Sequence, residues 1–208
     1  MPKRYIITLT AANRVGVLAA VGTALDELGA NIHELSQTVM QKFFSIILAA
    51  DFPENREPQV ILDHLRDACR PFGGEVCLKD PDAEELREDR EGDYRTYYLT
   101  VEGKDRPGVM RRISSRLAER QIDIVDLYGL RDDDSQTFHA AMGLAVPAAV
   151  EIAPLQKDLK QLGDSLGLAI RLYNEQEALS LQEPRLLRLQ SVAIRKQLTC
   201  SENDDLGS

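Results

Sequence analysis

A single offset of 92 residues carries Tyr5 onto Tyr97, Arg14 onto Arg106 and Gly16 onto Gly108. Laid over itself without gaps across 5–35, the chain matches at nine positions: Tyr5, Thr8, Arg14, Gly16, Val17, Leu25, Glu27, Ile32 and Leu35. The offset holds through a strand pattern, a turn and a helix pattern, so the same supersecondary unit occurs twice. That excludes one large domain. The 208 residues divide instead into two units of roughly 80 to 90 residues, within the usual domain range.

Residues 3–11 alternate poorly and predict a buried strand, and Asn13 and Arg14 form a turn. Leu18, Val21, Leu25 and Leu28 recur at helical spacing, predicting a helix over 15–28 that Gly29 stops. Strands follow over 30–39 and 43–52, then a loop over 53–58. Val60, Ile61, Leu62, Leu65, Ala68 and Cys69 mark a second helix, ended by Pro71 and Gly73-Gly74, and a strand over 75–78 closes the unit. The second copy repeats the order, with strands over 94–103, 122–130, 137–146 and 169–172 and helices over 109–119 and 152–166. Its hairpin is longer by two residues, and Asp132, Asp133 and Asp134 fill it as a solvated turn. The order β-α-β-β-α-β with right-handed crossovers puts both helices on one face of a four-stranded antiparallel sheet. That is the α+β, ferredoxin-like arrangement.

The expected organisation is a first unit over 1–79, an acidic linker over 80–93, a second unit over 94–175 and a tail over 176–208. The linker is rich in Asp and Glu, and 83–90 could hold a short helical turn. In the tail, Pro184 suits a first helical position. Leu186, Leu187, Val192, Ala193, Ile194 and Leu198 there interleave with Arg185, Arg188, Arg195 and Lys196. This predicts an amphipathic helix that covers a sheet or joins a partner, with 201–208 frayed.

A net charge of -9 argues against direct nucleic-acid binding and against an anionic membrane surface, because both partners select a basic patch. No apolar run approaches the roughly 20 residues of a membrane span, and Met1-Pro2-Lys3-Arg4 leads straight into a strand with no export segment. Cys69, Cys77 and Cys200 form no CxxC pair, and Cys69 and Cys77 read as small buried apolar residues. His33, His64 and His139 lack metal-ligand spacing, and His33 and His139 read as partly buried packing residues. The expectation is a cytoplasmic, reduced protein without metal or cofactor.

A first strand, then Asp105-Arg106-Pro107-Gly108-Val109, a helix, then Ile122-Asp123-Ile124 at the next strand resembles the ACT domain, a regulatory amino-acid-binding module. The echo in the first copy is Asn13-Arg14-Val15-Gly16-Val17 with Ala30-Asn31-Ile32, departing at Asn13 and Val15. The resemblance covers about 3–175, and a chain of two such units is similar to the glycine cleavage system transcriptional repressor family. It implies a non-enzymatic protein that senses a small amino acid and acts through protein contacts in amino-acid metabolism. It also implies at least a homodimer, since sheets in the family extend across pairs of units.

The residues suit that use. Glycine lets backbone amides approach a bound group, and the following helix presents free N–H donors and a positive dipole end to a carboxylate. The expected ligand residues are Asn13, Arg14, Val15, Gly16, Val17, Asn31 and Ile32, and, with the closer match, Asp105, Arg106, Pro107, Gly108, Val109, Asp123 and Ile124. The ligand would lie where the strand-to-helix loop of one unit faces the start of a middle strand, with Asn31 or Asp123 receiving its ammonium. Gly108 would leave room for its carboxylate, and Asp105 would cap the helix. The bland alternative makes the glycines tight turns and Asn13 and Asp105 helix caps, leaving a ligand-free dimerisation scaffold. An acylphosphatase-like enzyme shares the topology, with Arg14 and Asn31, or Arg106 alone, on a phosphate. Against it, the Gly-rich loop with its adjacent Arg is missing and Asp105 would repel phosphate. No nucleophile-base arrangement is legible.

Overall fold

The computed structural model describes residues 2–83 and 93–181. It divides into two compact units, Met1–Asp89 and Arg90–Ser208. The amphipathic tail helix expected around 184–198 and most of the linker lie outside the described residues.

In the first unit β1 (Lys3–Ala12), α1 (Val17–Glu27), β2 (Asn31–Met40), β3 (Phe43–Phe52), α2 (Pro58–Cys69) and β4 (Glu75–Lys79) follow in turn. A single 3-10 turn, Arg70–Phe72, lies between α2 and β4. The second unit has β5 (Tyr94–Lys104), α3 (Val109–Ala118), β6 (Asp123–Asp132), β7 (Thr137–Pro147), α4 (Ile152–Leu166), β8 (Leu168–Asn174) and a short α5 (Glu175–Ser180). The sheets run β2-β3-β1-β4 and β6-β7-β5-β8, antiparallel throughout. Two ferredoxin-like units in tandem are therefore present. Because β2 and β6 lie at sheet edges, the strand starts expected to serve as middle strands are edge positions.

The core of each unit lies between sheet and helices. Tyr5, Ile7, Leu9 and Ala11 of β1 alternate into it, opposite the helix stripes Val17, Val21, Ala24 and Leu25 of α1 and Ile61, Leu65 and Cys69 of α2. The expected poor alternation of β1 is thus corrected: Thr8 and Thr10 stand on its outer face, and Ile6 is only half-buried there. The second core repeats the plan with Leu99, Val101, Val109, Ile113, Leu117, Met142, Leu144, Leu155 and Leu159. Mid-helix Gly163 marks a close approach of α4 to β8: a Cβ there would stand 2.6 Å from the Leu168 carbonyl oxygen. Cys69 is buried as expected, but Cys77 is exposed, because it sits on the outer face of β4 opposite Thr8.

Among the described residues, unit 2 adds a feature without counterpart in the first. Against the outer face of its sheet, Ala178 of α5 is fully buried with Tyr98 and Ala141, flanked by Tyr128 and Tyr173. A reciprocal capping box holds α5 in place: Asn174 Oδ1 accepts from the Glu177 amide at 2.9 Å, and Glu177 Oε2 accepts from the Asn174 amide at 2.9 Å.

Candidate functional site

Both strand-to-helix loops are tied to the hairpin of their own unit. The Asn13 amide donates to Lys42 O at 2.8 Å, and the Asp105 amide to Gln136 O at 3.0 Å. Each loop then closes on a glycine at the helix N-cap, Gly16 at φ 100° and Gly108 at φ 83°. A side chain strains that left-handed geometry, which is why glycine stands there in both copies. Neither helix has a side-chain cap or an acidic residue in its first turn. The expected capping roles of Asn13 and Asp105 are therefore corrected. Asp105 Oδ2 instead lies 3.3 Å from Arg131 Nη1 at the end of β6.

The Val17 amide donates to Arg14 O at 3.3 Å and the Val109 amide to Arg106 O at 3.4 Å; the next first-turn amides have no side-chain cap, and with the helix dipole they leave the two loops electropositive at the backbone. Val15 is fully exposed at the loop tip, whereas Val17 and Val109 are buried in the cores and serve packing. Around Gly108 a built Cβ meets nothing within 4 Å. Room for a ligand there is open, and the glycine is fixed by its backbone angle. In unit 2 the Arg106 guanidinium stands 3.9 Å from the Cβ position of Gly167. Gly167 is the C-cap of α4, so this cation lies at the negative end of a helix.

Asn31 and Asp123 open β2 and β6, opposite Asp51 and Ala145 respectively. A bulge follows at once in both units, between Ile32 and Glu34 and between Ile124 and Asp126. Ile32 is exposed and Ile124 half-buried against the core. Within one unit these starts do not face the loop. Asp123 pairs with Ala145, which pairs with Thr96, whereas the loop leaves β5 beyond Lys104. Eight strand positions separate Thr96 from Lys104, or about 26 Å at 3.3 Å per residue. A small amino acid cannot bridge that distance within one unit.

The start of β2 carries a charge cluster that the sequence did not single out. Arg4 Nε donates to Asp51 Oδ1 at 2.8 Å, and His33 Nε2 lies 2.5 Å from Asp51 Oδ2. The Arg4 hydrogen bond, with a smaller share from His33, holds the Asp51 carboxyl below its ordinary pKa. His33 is exposed, contrary to its expected packing role. The available signal was Asp51 itself, a lone acid ending the apolar run of β3. Its partners were hidden because only strand register brings them together.

Two concavities are relevant. A pocket of about 370 Å³ opens beside Arg14 in unit 1. A larger groove, about 670 Å³, follows the outer edge of β8 between α4 and α5 in unit 2. Among the described residues no group of three or more His, Cys, Asp or Glu could hold a metal ion, and no helix is long and apolar enough to cross a membrane.

The model of the ACT domain matches residues 5–69 and 97–164. The chain belongs to the ACT-domain family. A UPF0237 protein of Methanosarcina acetivorans is 34% identical over 80 residues, 38% of this chain and 87% of that protein. A UPF0237 protein of Corynebacterium efficiens is 49% identical over 49 residues, and the match spans 55% of that relative and 24% of this chain. Among solved structures, an unknown protein from Galdieria sulphuraria aligns with a TM-score of 0.66 and 21% identity, covering 84% of this chain and 99% of that one. A protein assigned as a glycine cleavage system transcriptional repressor aligns at 0.58 and 18%, covering 83% and 96%. At these identities both structures speak to the fold of this ACT protein.

Proposed function

We propose that this ACT protein is a non-enzymatic regulator that senses a small amino acid and acts through protein contacts in the control of amino-acid metabolism. The supporting observation is the uncapped helix start behind a left-handed glycine, built identically in both units. It offers free N–H donors to a carboxylate and has no acidic side chain in the first turn to compete. The loop of unit 2, Asp105 to Val109, is the better candidate, with the ligand ammonium received by Asp123 beside Ile124.

Since that strand start lies at the far end of its own sheet, the site is completed by a second copy of the chain. Two β6 edges paired antiparallel about a two-fold axis bring each strand start to the loop end of the other copy. Leu127 and Leu130, exposed at 48% and 54% on β6, are apolar area for such pairing. The domain limits 1–79 and 94–175 belong to this proposal as its two working units.

The test is calorimetric titration of the twenty amino acids into the full chain, with sedimentation in parallel. A ligand whose binding is weakened at least tenfold by Asp123→Ala, with a dimer present, supports the reading. A monomer that binds equally well with Asp123→Ala sinks it. The exposed Ile32 and Val39 on β2 favour a second reading, a ligand-free dimerisation scaffold, for which no amino acid gives heat and the dimer persists.

A further inference from the structure

The helix layers of the two units carry opposite charge. In unit 1, α1 and α2 hold Asp26, Glu27, Asp63 and Asp67 against Arg66, with His64 neutral. In unit 2, α3 and α4 hold Arg111, Arg112, Arg116, Lys157 and Lys160 against Asp158 and Asp164. The first layer is formally -3 and the second +3, in a chain of net charge -9. Matching helices show the contrast most plainly. The 92-residue overlay puts Arg111, Arg112, Arg116 and Arg120 on Ala19, Ala20, Ala24 and Leu28.

Two of these arginines stand where they serve their own helix worst. Arg111 and Arg112 complete the first turn of α3, which has no acidic residue and no side-chain cap. The positive end of the helix dipole disfavours a cation there. Both are exposed, and among the described residues neither guanidinium has an ion-pair or hydrogen-bond partner. Arg112, Arg116 and Arg120 follow at four-residue spacing, a row about 12 Å long at the helical rise. Like charges at that spacing destabilise a helix. Asp158 of α4 relieves the far end, accepting from Arg116 Nη1 at 3.3 Å and from Arg120 Nη2 at 2.8 Å. The near end has no such relief. Local rules broken in this way are expected at a functional surface, where a partner supplies the missing charge.

We propose that this face of α3 docks an acidic peptide segment of a partner protein. Carboxylates about 6 Å apart, the rise of four helical residues, accept two-pronged hydrogen bonds from Arg111 and Arg112 and continue the pairing that Asp158 begins. The first turn uses arginine and not lysine, in keeping with planar recognition of a carboxylate. A nucleic acid fits less well. Neither α3 nor α4 contributes an aromatic side chain for base stacking. A duplex also extends well beyond so short a row and is then repelled by the acidic remainder of the chain. This inference rests on the reading above that the protein acts through protein contacts, and it uses neither Gly108 nor Asp123.

The experiment adds three labelled probes to the full chain without any amino acid present, and follows fluorescence anisotropy and amide NMR. The probes are a capped alanine-based peptide with glutamate at every fourth position, its glutamine counterpart and a short DNA duplex. The glutamate peptide is expected to bind, to shift amides of α3 and to weaken as salt is added. The other two should bind at least roughly tenfold more weakly. Arg111→Glu with Arg112→Glu should weaken the glutamate peptide at least roughly tenfold, because like charges then meet. The same double variant should unfold at a higher temperature than the parent, because acids in a first turn suit the dipole. A purely structural role for the two arginines predicts the reverse on both counts. Arg112→Gln, which removes one charge and adds none, should weaken the peptide by roughly a few-fold, and it carries the test if the double variant fails to fold. Peptide binding in a chain to which no amino acid binds would leave the docking face standing and sink the sensing; the converse would sink the docking face alone. The proposal is overturned if the glutamate peptide fails to bind at millimolar concentration, if the two peptides bind alike, if the duplex binds more tightly, or if folded variants keep the parent's affinity.

Discussion

Tyr98 offers a substitution with an unusual expected sign. Its side chain is 1% exposed, between the outer face of the sheet and Ala178 of α5, and its hydroxyl finds no hydrogen-bond partner among the described residues. Burial, and secondarily the negative charge of Glu175, push its pKa above the usual phenol value. A buried hydroxyl without a partner costs about 1–3 kcal/mol of desolvation, while the ring contributes through packing. Tyr98→Phe keeps the ring and deletes the cost, so the variant should be more stable by about 1–2 kcal/mol. For a unit of this size that is roughly a 4–8 °C rise in midpoint per kcal/mol. Tyr98→Ala should lose about 3–5 kcal/mol by opening a cavity. Since the folded pKa is raised, the parent should also lose stability as pH climbs above about 10, the unfolded phenol value. Tyr98→Phe should lack that component. Urea unfolding followed by the dichroism of the full chain reads these numbers. A loss of 1 kcal/mol or more in Tyr98→Phe would refute the reasoning, because the hydroxyl would then have a partner worth more than its desolvation.

Asp51→Asn should cost about 1 kcal/mol or less at neutral pH, since Asp51 is partly exposed and held by Arg4 and His33. Its carboxyl pKa is lowered, so this stability is present above about pH 4 and disappears as pH falls through the folded value, where parent and variant should converge in acid unfolding. Gly163→Ala should destabilise by about 1–3 kcal/mol through overpacking, its Cβ standing 2.6 Å from the Leu168 carbonyl oxygen. Gly22→Ala, in α1 with open space around it, should instead stabilise by about 0.5–1 kcal/mol, and thermal unfolding of the two variants compares them directly. Gly108→Ala should lose about 1 kcal/mol from its left-handed backbone alone, so its binding data must be read beside its unfolding curve.

The fold was legible because its signals are local and doubled. Helix stripes such as Val109, Ile113 and Leu117, and stops such as Gly167, announce themselves at fixed spacing, and the overlay of the copies sets the boundaries. Sheet order adds what spacing cannot carry. The sequence reading put Asn31 and Asp123 at the start of strands that face the loop, whereas the crossover returns each strand to the far end of the sheet. Helix α1 must run back along the sheet before β2 can begin, so the two ends of any β-α-β unit of this kind are a helix length apart. The cap assignment failed for a related reason. Asn13 and Asp105 lie three residues before the glycine that closes the turn, and the loop spends them on the hairpin and on Arg131.

The overlay that reveals the repeat also shows where the copies have parted. Ile6 aligns with Tyr98, His33 with Val125 and Ala11 with Gly103. Each pair falls in a different place: the outer sheet face, the bulge of the edge strand, and the end of the first strand. A change of volume in a core costs kilocalories, so an exchange there needs a compensating neighbour. Tyr98 comes with α5, a helix that covers its ring. Gly103 comes with a longer β8, whose approach a side chain would block. His33 comes with Arg4 and Asp51, a cluster absent at the corresponding Val125, Thr96 and Ala145. Each of these three exchanges is matched by a neighbour that makes sense of it. Unit 1 has kept an open corner lined by charge and aromatic rings, and unit 2 has kept the Asp-Arg-Pro-Gly loop.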